Sequence, residues 1–183
     1  MPAPDTDLGL LLLARARHAI KRELGVPGEP PVDDARLAAR GATFVTLKQY
    51  GELRGCIGSL RPQRALGEDV DVNAVGAAMR DARFPPVTAK ELNDLRIEVS
   101  LLSESTFLEF SDEEDLLRRL RPGIDGVILS AGCRSATFLP QVWEQLPGPQ
   151  DFVAALMRKA GLAPDHPVKH LLVATYTVLK WRE

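Results

Sequence analysis

Cysteine and histidine are scarce in this chain, which has two cysteines and three histidines among 183 residues. Two cysteines are too few for the disulfide scaffold of a small secreted domain. The histidines, His18, His166 and His170, match no spacing that is typical of a metal site. We therefore predict no metal site.

A strong charge of one sign is also absent. The formal net charge is −2, so the chain carries no overall basic field that would attract nucleic acid. One clear basic cluster lies on the predicted N-terminal helix and consists of Arg15, Arg17, Lys21 and Arg22. Because four charges give only a modest counterion-release contribution, we predict no strong nucleic-acid binding by this chain alone.

Long hydrophobic runs are missing as well. The leucine run 10–13 is too short to span a bilayer. Asp5 and Asp7 precede it without any basic residue, unlike the start of a signal peptide. We expect a cytoplasmic protein that does not associate with membranes.

Motifs for common cofactors and nucleophiles do not occur. The sequence has no phosphate-binding loop, no Gly-x-Gly-x-x-Gly after a strand, no Cys-x-x-Cys and no Gly-x-Ser-x-Gly elbow. We predict no cofactor.

Apolar periodicity and turn residues predict alternating helices and strands. The composition, 45% hydrophobic and 26% charged, is ordinary for a globular protein. Helices are expected over 8–24, 65–82, about 112–120 and 149–160; strands are expected over 43–60 (two, around the turn 49–52), 96–103, 127–129 and 136–139, with a closing strand at about 170–181. This mixture predicts an α+β fold with a largely antiparallel sheet flanked by helices, in a single domain over 1–183.

The segment Leu53-Arg54-Gly55-Cys56-Ile57-Gly58 is the most informative feature. Glycine weakens a strand, so two glycines around one cysteine indicate close approach of another strand, a bulge or a ligand. We therefore predict two lobes with Cys56 facing the groove between them. The pair Gly-Cys recurs at 132–133, which hints at an internal strand–helix duplication.

Strict alternation along this segment places Arg54, Cys56 and Gly58 on one face. A nearby guanidinium favours the thiolate, so Arg54 should lower the pKa of Cys56. We then expect iodoacetamide to label Cys56 before Cys133. The alternative is a buried cysteine that acts as a small hydrophobe.

A candidate site follows if the neighbouring strands bring their polar faces together. In this site Cys56 is the nucleophile or thiolate ligand, Arg54 its charge stabiliser and Glu98 a base. Residues that would line the same cleft and bind a ligand are Gly55, Gly58, Asp81, Arg83 and Ser100. The alternative is a structural network, in which Arg54 pairs with Glu98, Asp81 or another carboxylate.

The octapeptide 53–60 resembles the signature of the AMMECR family, whose prokaryotic members are called AmmeMemoRadiSam system protein A. Further similar blocks follow in order between about 41 and 162: Asn73-Ala74 to Pro86, Glu91-Leu92 to Ser100, Pro122 to Val127, Ala136 to Trp143 and Lys159 to Leu162. The resemblance implies a system with a radical-SAM protein and a MEMO-like protein as partners.

The resemblance leaves two hypotheses for function. The first is an enzyme or enzyme subunit in RNA or small-molecule modification, with its site at Cys56. The second is a non-catalytic binding or specificity module that presents a substrate to the two partners. The reactivity of the Cys56 thiol separates them.

Overall fold

The computed structural model describes residues 6–163 and 165–183. It confirms the α+β fold class and divides into two compact units, one of residues up to Leu102 with 179–183, the other of 103–178. The helices are α1 (Thr6–Glu23), α2 (Leu66–Met79), α3 (Glu113–Arg119) and α4 (Pro149–Lys159); the strands are β1 (Arg40–Gln49), β2 (Glu52–Gly58), β3 (Arg64–Ala65), β4 (Leu95–Leu102), β5 (Thr106–Phe107), β6 (Gly126–Ala131), β7 (Arg134–Phe138), β8 (Leu172–Tyr176) and β9 (Val178–Arg182).

The first unit contains a five-stranded sheet with the order β2-β1-β4-β9, and β3 pairs with β1. Strand β1 is antiparallel to β2, β3 and β4. Alternate residues of the strands face helices α1 and α2, because the side-chain period of a strand is two. The buried core between this face and the helices includes Leu12, Ala16, Ile20, Val45, Leu47, Val70, Ala74, Ile97 and Val99.

The second unit contains a four-stranded antiparallel sheet with the order β5-β8-β6-β7. Its core combines one sheet face with α3 and α4. Trp143 stacks on Phe152 with ring centroids 3.7 Å apart, and its indole nitrogen donates to the Asp125 carbonyl oxygen over 2.7 Å. The buried indole therefore has a polar partner as well as an aromatic one.

The predicted closing strand 170–181 is wrong as a single element. The chain forms β8 in the second sheet and, after Thr177, β9 in the first sheet. A run of Val, Thr, Tyr and Leu favours extended backbone throughout but does not specify the neighbouring strand.

The predicted second helix also differs at its end. Helix α2 stops at Met79, so Asp81 and Arg83 lie in the following loop and do not end the helix. The two Gly-Cys pairs are not equivalent either, because the first lies inside β2 and the second in the β6–β7 turn, where Gly132 has a φ of 59°. This removes the basis for an internal duplication.

The predicted groove beside Cys56 stays a prediction.

Within the described residues, no helix combines the length and the apolar character needed to cross a membrane.

Candidate functional site

The two glycines of the motif are explained by packing inside the first unit. A Cβ atom on Gly55 would lie 2.1 Å from the carbonyl oxygen of Ala77 in α2. A Cβ atom on Gly58 would lie 2.2 Å from the ring of Phe44, the residue opposite it on β1. The close approach inferred from the sequence is therefore made by a helix and by an aromatic ring.

Cys56 lies on β2, the edge strand of the first sheet, and is half-buried. Its neighbour on β1 is Thr46, whose Oγ1 is 3.2 Å from the Cys56 Sγ. The backbone N–H of Cys56 donates to Asp81 Oδ2 over 2.8 Å, and its carbonyl oxygen accepts from Arg83 Nη2 over 3.4 Å. The exposed edge of the sheet is thus occupied by a side-chain pair, which protects it from pairing with another strand.

The Asp81–Arg83 pair is held by two side-chain hydrogen bonds. Arg83 Nε donates to Oδ1 over 2.9 Å and Nη2 donates to Oδ2 over 2.7 Å, a bidentate arrangement. The Arg83 hydrogen bonds, opposed by partial desolvation and helped by the Cys56 N–H, hold the pKa of Asp81 well below its usual range. The same bond to Asp81 raises the pKa of Arg83, with a smaller electrostatic contribution from Cys56.

The free energy of unfolding at acid pH should depend on the Asp81 carboxylate at the edge of the sheet. A carboxyl whose pKa is lowered by folding stabilises the protein above its unfolded pKa, about 4, and loses that effect as pH falls towards the folded pKa. We expect Asp81→Asn to lower the free energy of unfolding at pH 7, and the difference from wild type to shrink progressively below pH 4. Urea denaturation across this pH range measures the difference, and a gap that stays constant down to the acid limit contradicts the assignment.

Arg54 does not share the face of Cys56, contrary to the alternation argument. The register with β1 shifts between Leu47 and Lys48, which lie opposite Gly55 and Leu53, so Arg54 is the extra residue of a β-bulge. A bulge re-aims its side chain, which strict alternation cannot anticipate.

The Arg54 guanidinium instead binds the segment that follows α2. It donates to Glu91 Oε1 over 2.9 Å and to the carbonyl oxygens of Pro85 and Pro86 over 2.9 and 3.4 Å. Its side chain is only 12% exposed. The prediction of a carboxylate partner for Arg54 is confirmed, with Glu91 rather than Glu98 or Asp81 in that role.

Glu98 lies on β4 directly opposite Thr46 and is 6% exposed. Its two carboxylate oxygens accept from Lys48 Nζ over 2.9 Å and from Lys180 Nζ over 2.7 Å. Burial raises the pKa of Glu98, but the hydrogen bonds from Lys180 and Lys48 outweigh it and leave the pKa lowered. A carboxylate in this state is a weak proton acceptor, which argues against the predicted role as a base.

The predicted catalytic residues are therefore only partly assembled. Thr46 pairs with both Cys56 and Glu98, so the two share a row and a face. They are two strand spacings apart, roughly 9 to 10 Å at Cα, which is beyond direct proton transfer. Ser100 lies on the same face in the next row, opposite Phe44, and is also buried.

A buried polar cluster around Asp69 was missed by the sequence argument. Asp69 is 0% exposed and accepts from five donors: the Thr43 N–H and Oγ1, Ser59 Oγ, Arg64 Nη1 and Asn73 Nδ2. The available signal was the pair Asp69 and Asn73, spaced i and i+4 among inward apolar positions of α2. The cluster ties α2 to β1 and to the end of the motif at Ser59.

Metal ligation has no support in the part of the chain that the structure describes. No group of three or more His, Cys, Asp or Glu side chains there could hold a metal ion. The candidate site is thus an ionic and hydrogen-bonded network around one thiol.

Comparison with known proteins places this architecture in a family. A protein of Methanothermobacter thermautotrophicus is 37% identical over 170 residues, which cover 87% of this chain and 85% of that protein. Protein MK0488 of Methanopyrus kandleri is 37% identical over 169 residues, with 86% and 79% covered. The crystal structure of the uncharacterized protein PH0010 from Pyrococcus horikoshii matches with a TM-score of 0.83 at 35% identity and covers 97% of this chain and 92% of that one.

The family model AMMECR1 matches residues 13–181, a wider range than the 41–162 that the sequence blocks indicated. The added residues include most of α1 and β9, which belong to the packed first unit. The chain is a member of the AMMECR1 family.

Proposed function

We propose that this chain is a non-catalytic binding module of the cytoplasm that presents a substrate to a radical-SAM protein and a MEMO-like protein. The partners are those implied by the resemblance to AmmeMemoRadiSam system protein A. One observation favours a binding module over an enzyme: the charged side chains of the candidate site form ion pairs and hydrogen bonds with other groups of the protein.

Each charged residue proposed for the catalytic or binding part of the site already pairs with other groups of the protein. Arg54 binds Glu91 and two carbonyl oxygens, and Glu98 binds two lysines. Asp81 binds Arg83 and the Cys56 N–H. Groups used in this way stabilise a surface for recognition, whereas a catalytic acid or base must be able to exchange a proton with its substrate.

The second candidate is an enzyme or enzyme subunit for RNA or small-molecule modification with Cys56 as its nucleophile. The observation in its favour is the half-buried thiol on an edge strand, with the Arg83 guanidinium close enough to interact electrostatically. A neighbouring cation favours a thiolate.

Thiol labelling with iodoacetamide near neutral pH separates the two candidates. Cys133 is exposed in a turn and not on a strand, whereas Cys56 is half-buried, so a binding module should be labelled first at Cys133. An enzyme should be labelled first at Cys56, and Arg83→Ala should slow that reaction. Arg54→Ala is the matched control, because the bulge turns Arg54 off the face of Cys56 and towards Glu91. Mass spectrometry of tryptic peptides gives both rates, and faster labelling of Cys56 contradicts the module.

The partners are tested by mixing the purified chain with the purified radical-SAM and MEMO-like proteins of the same organism. We expect co-elution in size-exclusion chromatography, and we expect Cys56→Ser to co-elute equally, because binding does not need the thiol. Separate elution of wild-type chain from both proteins refutes the proposed partnership.

A further inference from the structure

A cavity in the first unit is lined by basic side chains from helix α1 and strand β4. Its volume is about 490 Å³, which is within the range of small-molecule sites. The residues that line it are Arg17, Lys21, Leu92, Asn93, Arg96 and Glu183. All six belong to the first unit, so the cavity is formed by that unit alone.

Arg17 and Glu183 form a closed ion pair in the wall of this cavity. Arg17 Nε and Nη2 donate to the two carboxylate oxygens of Glu183. Its Nη1 and Nη2 also donate to the carbonyl oxygens of Leu92 and Leu95, over 3.0 and 2.9 Å. The Glu183 carboxylate accepts in addition from the backbone N–H of Ile97 over 3.0 Å. Among the described residues, Glu183 is the one carboxylate side chain that lines the cavity, and Arg17 and β4 already occupy it.

Two further cations line the cavity without a carboxylate partner. The half-buried Lys21 forms no hydrogen bond or ion pair through its ammonium group with residues 6–163 and 165–183. Arg96 Nη1 makes long hydrogen bonds to the carbonyl oxygens of Leu95 and Asn93, 3.2 and 3.4 Å. The Arg96 Nε and Nη2 donors contact no acceptor in that same part of the chain. Because a partly buried cation without a partner loses hydration and gains nothing in return, an anion in the cavity would stabilise both groups.

We propose that this cavity binds a small molecule that bears a carboxylate or phosphate group, and that Lys21 and Arg96 bind this oxyanion. The free Nε and Nη2 of Arg96 form a planar fork that matches two oxygens of one oxyanion. The Lys21 ammonium group adds three donors to the same site. Leu92 and Asn93 line the cavity as well and would contact the rest of the molecule.

The oxyanion site is separate from the network around the thiol. None of its lining residues contacts Cys56, Asp81 or Arg83 through a hydrogen bond within the described residues. The site also needs neither of the partner proteins proposed above. It therefore adds a ligand to the proposed function and does not rest on it.

Isothermal titration of the full chain with inorganic phosphate and, separately, with succinate tests the site at low ionic strength. We expect saturable binding of at least one of the two anions, weakening as sodium chloride is added, and the tighter of the two identifies the oxyanion. Lys21→Gln and Arg96→Gln should each reduce the affinity about fivefold, the effect of one partly exposed ionic contact. Arg22→Gln is the matched control, because it removes the same charge from the last turn of α1 but Arg22 does not line the cavity.

Lys21→Arg keeps the positive charge and should retain binding, so a loss as large as that of Lys21→Gln contradicts recognition by charge and overturns the proposal. Absence of saturable binding of both anions by the wild-type chain overturns it as well. The same holds if Lys21→Gln and Arg96→Gln bind like wild type, or if Arg22→Gln loses as much affinity as they do. None of these results bears on the association experiment, since no partner protein is present in the titration.

Discussion

Gly55→Ala should destabilise the first unit by about 3 kcal/mol, at the upper end for overpacking in a core. The added methyl group would lie 2.1 Å from the carbonyl oxygen of Ala77, which is helix backbone and has no rotamer to change. Either β2 or α2 must therefore move. Both elements contribute side chains to the hydrophobic core of this unit, so a shift of either one disturbs its packing.

Urea denaturation followed by tryptophan fluorescence measures this effect unit by unit. The chain has two tryptophans, Trp143 in the second unit and Trp181 in the first, so a Trp143→Phe background reports on the first unit. Gly58→Ala should be less damaging, because the Phe44 ring that it meets is a half-buried side chain able to turn away.

Gly28→Ala, an exposed loop position in the same unit, is the control for a harmless methyl group. Its Cβ would meet only flexible side chains, Lys21 Cδ at 3.2 Å and His18 Nδ1 at 3.8 Å. If Gly55→Ala unfolds at the same urea concentration as this control, the close packing of β2 on α2 is not what requires glycine there.

Asp69→Ala should also cost about 3 kcal/mol, and more if the cluster does not rearrange. The substitution leaves the buried Thr43 N–H and hydroxyl without the carboxylate oxygen that accepts from both, and a buried unsatisfied donor costs its desolvation energy. It also removes the ionic partner of Arg64.

Glu68→Ala is the matched control for Asp69→Ala. It removes the neighbouring carboxylate from the same first turn of α2, but Glu68 is exposed. Its effect should be limited to the weak interaction with the helix dipole, a few tenths of a kcal/mol. Similar losses in the two variants, measured by the same denaturation, would mean that helix charge and not the buried cluster explains the result.

Predictions from local pattern succeeded where one element determines the outcome. The periodicity of Leu12, Ala16 and Ile20 indicated the buried stripe of α1, and all three are fully or almost fully buried. The glycines of the motif indicated close approach, which Gly55 and Gly58 confirm. The carboxylate partner of Arg54 followed from the cost of burying an unpaired guanidinium.

The sequence-based predictions failed where the outcome depends on how two elements pair. The bulge at Arg54 depends on the register of β2 against β1, so alternation along β2 alone gave the wrong face. The division of the predicted 170–181 strand depends on which sheet offers a free edge, and the local residues favour extended backbone in either.

The amino-acid sequence by itself determined the α+β class, the family and the positions of most helices and strands, because periodicity and turn chemistry act over a few residues. Tertiary structure alone decided the partners of the charged side chains: Arg54 with Glu91, Glu98 with two lysines, and Asp69 with five donors. Ionic and hydrogen-bonded contacts require atoms within a few ångströms, and residues as distant in the sequence as Glu98 and Lys180 reach that distance only when strand register and helix packing are set.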